Sequence, residues 1–214
     1  MSEPDLAVRI EPVHDRIAAV GSLLAETFAA TPSPAMARVP YPRRVRILRG
    51  ILTDATRDLA QHGHVLVALD TNGSSERVLG ALLLVSSRTM PPSLGRRLRS
   101  APANLRAAML APRAFSLTRR STRIRGQVLP EPGDWWLLHT MAVDPAVQQR
   151  GIGRALMTEG LTIVDATGGD SYLHTANRKA EALARKLGFV VDRLIPTAYP
   201  GEPPHLLMRR PGRG

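Results

Sequence analysis

The sequence predicts a mixed α/β domain, and three observations carry that expectation. Apolar residues recur at helical spacing in some segments and fill short β-rich runs in others, and the two kinds interleave along the chain. With 214 residues, 43% of them apolar, one core of ordinary size can be built. No internal repeat and no linker-like stretch divides the chain, so residues 1–214 are expected to form a single domain.

The elements follow in order. Leu6 to Ile10 alternates apolar and polar residues and predicts a short strand, with Pro12 at the first turn of a following helix. Val13, Ile17, Val20, Leu24 and Phe28 form that helix's apolar stripe. Pro32, Pro34, Pro40 and Pro42 predict a loop, and Val45, Leu48, Leu52, Ala55 and Leu59 a second helix ending near Gly63. His64–Leu69 and Val78–Val85 are strand runs, joined by an Asp70-Thr71-Asn72-Gly73-Ser74-Ser75 hairpin connection.

An insertion is expected at about residues 88–130. No Asp or Glu occurs between Glu76 and Glu131, whereas eleven arginines do. The eighteen basic residues elsewhere equal the eighteen acidic ones, so the whole net charge of +11 belongs to the stretch between Glu76 and Glu131. Leu94, Leu98, Leu105, Met109 and Leu110 suit short helices, which Pro91, Pro92, Pro102 and Pro112 are expected to break. Beyond it, Trp135–Val143 predicts a strand, Gly153–Ala166 a helix, Ser171–Thr175 a strand and Arg178–Leu187 a helix capped by Gly188. Phe189–Leu194 and His205–Met208 read as closing strands.

Composition excludes several classes. The absence of cysteine rules out disulfide scaffolds, zinc ribbons, iron–sulfur sites and thiol nucleophiles. Val78–Val85, the longest apolar stretch, is far too short to span a bilayer, and the acidic opening Met1–Asp5 lacks the pattern of a secretion signal. A cytoplasmic protein with no membrane partner is expected. His62 and His64 lack a third ligand, so no metal site is expected either.

Chemistry concentrates in Leu138–Phe189, where the strand ends in Val143-Asp144-Pro145 and a Gln148-Gln149-Arg150-Gly151-Ile152-Gly153 turn opens a helix. A helix N-terminus presents several N–H groups at the positive end of its dipole and suits a phosphate. Gly151 and Gly153 let a pyrophosphate approach the backbone, and Arg150 and Arg154 add positive charge. No Gly-Lys-Ser/Thr follows, and the spacing is Gly-x-Gly alone, so this is neither a Walker loop nor a dinucleotide fingerprint.

Gln148-x-x-Gly151-x-Gly153, with Met141-Ala142-Val143-Asp144-Pro145 before it and Leu187-Gly188-Phe189 after it, resembles the GNAT acetyltransferase superfamily. Trp135-Trp136-Leu137, Tyr172-Leu173-His174-Thr175-Ala176-Asn177 and Leu207-Met208-Arg209-Arg210 are most similar to its puromycin N-acetyltransferase branch. The resemblance implies a twisted, mostly antiparallel mixed sheet, splayed at its centre to admit acetyl-CoA as co-substrate. It further implies that the backbone of Met141, Ala142 and Val143 pairs with the pantetheine arm and that Gln148, Gln149, Arg150, Gly151, Ile152, Gly153 and Arg154 hold the pyrophosphate. Asn177 is then either a pantetheine contact or a helix N-cap.

Two departures from the family stand out. Relatives often place a glutamate base on the strand before the phosphate turn; Trp135–Val143 contains no carboxylate and offers His139. Strict alternation puts His139 on one face with Leu137, Met141 and Val143. Ala184 stands where relatives carry a tyrosine acid, leaving His174, Tyr199 or water to protonate the leaving thiolate. Phe28, Tyr41 and Trp135 are candidate aromatic walls for the acceptor.

The function expected is acetyl transfer from acetyl-CoA to a primary amine of a small molecule or aminoacyl-type compound. Alternatives are a protein N-terminal or lysine acetyltransferase, and an inactive acyl-CoA-binding or nucleic-acid-binding protein. Against nucleic acid, the arginine segment holds one aromatic, Phe115, and shows no helix-turn-helix pattern. A monomer and a homodimer both fit.

Overall fold

The strand-forming runs assemble into one seven-stranded sheet in a computed structural model that describes residues 7–72, 76–197 and 204–212. Its strands are β1 (Val8–Pro12), β2 (His64–Asp70), β3 (Arg77–Ser86), β4 (Trp135–Val143), β5 (Asp170–Thr175), β6 (Val190–Ile195) and β7 (His205–Arg210). They lie in the order β1-β2-β3-β4-β5-β7-β6. Neighbours are antiparallel except β4 and β5, which are parallel and pair only from Trp135–Asp170 to Leu138–Leu173. Past that point the two strands have no mutual register, which is the central splay that the family resemblance implies.

Helices cover both faces. On one, α1 (Ile17–Ala30) and α2 (Tyr41–His62) contribute Val20, Leu24 and Leu59 to a core with Val67, Leu83, Val85 and Leu137. On the other, α5 (Ile152–Asp165) packs Ile152, Leu156, Leu161 and Val164 against Leu66, Leu82, Leu84 and Leu138, with α6 (Arg178–Lys186) beside it. Alternate residues of β3 enter opposite cores, as a strand covered on both faces requires. Gly160 permits the close approach of α5, because a Cβ there would come within 2.7 Å of Leu82 Cδ2.

The arginine-rich segment is not a set of short helices. Its core is α3 (Leu94–Leu110) and α4 (Pro112–Gln127), stacked on α2 around Met36, Ile47, Ala107, Ala111 and Ala114. Pro112 opens α4, where a missing N–H costs nothing. Pro102 lies inside α3 without breaking it, because its side is exposed and burial of Arg96 and Ala107 opposite holds the helix down. Arg96 is buried and donates to both Asp58 carboxylate oxygens, at 2.8 and 2.5 Å, which holds the Asp58 carboxyl below its ordinary pKa. Arg77 and Arg88 also pair, with Asp144 and Asp134, so the eleven arginines are not uniformly uncompensated.

Other boundaries shift for local reasons. β1 runs to Pro12 instead of ending at Ile10, since an edge strand tolerates proline, and Leu6 falls outside the described residues. Pro42 lies in the first turn of α2, not in the preceding loop. Within the expected hairpin connection, Gly73, Ser74 and Ser75 are outside the described residues.

Candidate active site

The site forms where β4 and β5 part. A β-bulge sets its geometry: Leu83 faces Thr140 and Leu84 faces Leu138, so His139 is an extra residue on β4. The bulge reverses the parity of side chains along the strand. Leu137 belongs to the core under α1 and α2, whereas Met141 and Val143 pack on the opposite face with α5 and α6. Strict alternation therefore fails here, and His139 does not share a face with Met141 and Val143. Instead His139 Nδ1 lies 2.8 Å from Thr140 Oγ1, both on the side lined by α4, leaving Nε2 available to a substrate.

A cavity of about 570 Å³ runs through the splay. Phe28, Met90, Thr122, Arg125 and Leu129 line one side of it, with His139, His174 and His205. Met141, Met157, Thr175, Asn177 and Ala180 line the other. Desolvation by the surrounding side chains lowers the pKa of His139, with the nearby positive charge of Arg125 adding to the effect, although the residue as a whole keeps an exposed surface. His174 is pushed down to about 4, mainly by desolvation and then by Arg125, and its buried Nε2 has no hydrogen-bond partner. A neutral imidazole is a poor proton donor, so His174 does not suit the acid role considered for it. Tyr199 lies outside the described residues.

The phosphate turn closes the cofactor side. Asp144 Oδ1 accepts from Ala146 N, opening a single 3₁₀ turn over Pro145–Val147, and Gln148 Nε2 donates to the Val143 carbonyl at 3.1 Å. Gln149 and Gly151 take left-handed backbone angles, φ +67° and +84°, which reverse the chain into α5. No side chain caps α5, so its first-turn N–H groups face outward. A Cβ on Gly151 would meet nothing within 4 Å, and one on Gly153 would make ordinary contact, its nearest neighbours being Val143, Leu183 and Met141 side chains at 3.7–3.8 Å. Arg150 and Arg154 are exposed beside this turn.

Of the other expected site residues, Asn177 lines the cavity but commits Oδ1 to capping α6, accepting from Lys179 N and Ala180 N. Ala184 is wholly buried on the inner side of α6, and as an alanine it offers no proton donor. Phe28 reaches the cavity; Tyr41 and Trp135 do not. Tyr41 is 47% exposed at the start of α2, under the Arg44 guanidinium. Trp135 is core, edge-on to Tyr172, with its indole N–H donating to the Glu131 carbonyl. Thr122 and Arg125 of α4 and His205 of β7 join the site with no local motif to announce them.

A mixed sheet splayed at a parallel pair, with an open helix N-terminus at the splay, is the architecture that the resemblance to the GNAT acetyltransferases implies. A model of the acetyltransferase (GNAT) family matches residues 108–189. N-alpha-acetyltransferase RimI of Mycobacterium tuberculosis is 52% identical over 54 residues, 24% of this chain and 33% of that protein. An uncharacterised protein of Mycobacterium leprae is 46% identical over 65 residues, 29% of this chain and 18% of that protein. The chain thus matches only a third or less of the length of these curated relatives. A solved structure described as histone acetyltransferase HPA2 and related acetyltransferase, from Corynebacterium glutamicum, superposes with TM-score 0.65 at 20% identity, covering 98% of both chains. The chain is thus similar to the GNAT acetyltransferases over residues 108–189 and shares the fold of the Corynebacterium structure.

Proposed function

We propose that the chain is an acetyl-CoA-dependent N-acetyltransferase acting on a primary amine of a small molecule or aminoacyl-type compound. The observation that carries this reading is the loss of β4–β5 pairing after Leu138, directly beside the uncapped start of α5. The GNAT family match and the shared fold support acetyl-CoA as the acyl donor. The residues present fit it. Met141–Val143 offer a backbone edge unpaired on the β5 side, and the Gln148–Arg154 turn offers outward N–H groups and two arginines.

Acetyl-CoA supplies an activated thioester carbonyl, and the chain's residues do the remainder. His139 Nε2 removes a proton from the acceptor ammonium, so that the amine lone pair can attack the carbonyl carbon. Amides of β4 beyond Leu138 donate to the oxygen that gains charge as the C–N bond forms. As the C–S bond breaks, the nitrogen would lose its second proton to solvent and water would return one to the departing thiolate, a route that asks for no acid at the buried Ala184 or from His174. Kinship to the puromycin N-acetyltransferase branch rests on the Trp135-Trp136-Leu137 and Tyr172–Asn177 segments. A protein N-terminus as acceptor is the second reading, favoured by the local identity to RimI.

Free-thiol release from acetyl-CoA, measured across a panel of primary amines and short peptides, tests the proposal. Amine-dependent release supports transfer and ranks small amines against peptide N-termini. Acetyl-CoA binding with no release for any amine would overturn transfer and leave an acyl-CoA-binding protein.

A further inference from the structure

The outer helix of the arginine-rich segment is amphipathic the wrong way round for a soluble domain. At 100° per residue, Leu94, Leu98, Leu105 and Met109 fall within about 60° of one another on α3. They are 73%, 64%, 64% and 76% exposed, whereas Arg96 and Ala107 on the opposite side are buried. Four long apolar side chains thus form a straight exposed stripe on the outermost layer, where isolated ones would need no explanation. Arginines border it: Arg97 on one flank, Arg99 and Arg106 on the other, all exposed. Five more follow on α4, and no carboxylate lies between Glu76 and Glu131.

We propose that α3 is a peripheral docking element that lays this stripe into the surface of an anionic lipid bilayer. The order of chemistry outward from the protein decides the occupant. Apolar side chains stand furthest out, and arginines sit slightly behind them on both sides. A lipid interface presents the complementary order, with acyl chains below a layer of negative headgroups. A second copy of this chain does not. In a parallel two-fold pairing through the stripe the Arg97 flank meets the partner copy's opposite flank, and in an antiparallel pairing it meets the same flank. Arginine faces arginine either way. Adsorption of this kind needs no spanning segment, and among the described residues no helix is long and apolar enough to cross a membrane.

The test is co-sedimentation of the full chain with vesicles of phosphatidylcholine alone or mixed equally with phosphatidylglycerol. Leu98→Ser/Leu105→Ser and Arg97→Gln/Arg99→Gln/Arg106→Gln variants are run alongside. All these positions are exposed, so unchanged thermal melting verifies that the variants fold. Binding to the anionic vesicles should exceed that to phosphatidylcholine by roughly tenfold or more, and should weaken as salt rises. Each variant should lose roughly tenfold of it or more. Equal binding to both vesicles, no binding to either, or a leucine variant that binds like the wild type would overturn the proposal. So would a wild-type dimer in solution that the leucine variant dissociates, which would assign the stripe to self-association.

Discussion

Two helices begin at the same end of the sheet, each just after one strand of the parallel pair, and they complete their first turns in opposite ways. α6 is closed by its own chain: Asn177 Oδ1 accepts from Lys179 N and Ala180 N, and Thr175 Oγ1 accepts from Asn177 N. α5 is left without a side-chain cap, behind a turn that holds Gln149 and Gly151 at positive φ. Adopting left-handed angles costs a non-glycine residue roughly 1–2 kcal/mol. The chain accepts that at Gln149 to aim the α5 amides outward, while Asn177 spends the equivalent groups on stability. The first terminus is built for a ligand and the second for the fold.

Substitutions around the two termini sharpen this contrast. His139→Ala, between them, should cut turnover by about 10²–10⁴-fold while acetyl-CoA affinity holds, as steady-state kinetics with parallel binding measurements would show. Unchanged turnover would remove His139 from the mechanism. His174 is next. Its pKa falls from 6.5 to about 4 on folding, so the unfolded chain binds the extra proton. Its contribution is complete above 6.5 and fades as pH falls toward about 4. Denaturant melts across that range should slope less in His174→Gln.

Asn177→Ala should cost about 1 kcal/mol of stability, read from denaturant midpoints, and leave acetyl-CoA affinity within about threefold. Gly151→Ala should cost a similar amount through its positive φ and weaken acetyl-CoA roughly tenfold. Equal effects of the two on affinity would erase the distinction between the termini. Arg125→Gln gives the smallest change. Removing that cation relieves its repulsion of imidazolium, so the pKa of His139 rises and the acid limb of kcat/KM moves to higher pH.

The same contrast explains what was legible in the sequence. The phosphate turn is local: Gln148, Gly151 and Gly153 need only their own neighbours to take the observed backbone path. β4 and α5 accordingly appear where periodicity puts them, within a residue. Asn177 was legible as a cap for the same reason. The acceptor side is not local. His139 depends on a bulge set by the register with β3, which alternation along β4 alone cannot reveal. Thr122 and Arg125 reach the cavity only because α4 folds back over the sheet, and proline counting read that segment as broken. Trp135 was open in the sequence to two readings, pocket wall or core, and only tertiary packing decides between them, placing it in the core.

Calorimetric titration with acetyl-CoA, of the wild type and of the Gly151→Glu/Gly153→Glu double variant, tests the central claim most directly. Carboxylates at those positions occupy the space a pyrophosphate needs and repel it. The wild type should bind, and the variant should lose roughly 100-fold or more in affinity with its circular dichroism unchanged. Equal binding by both proteins would contradict the assignment of the phosphate turn, and absence of binding to the wild type would contradict the transferase itself.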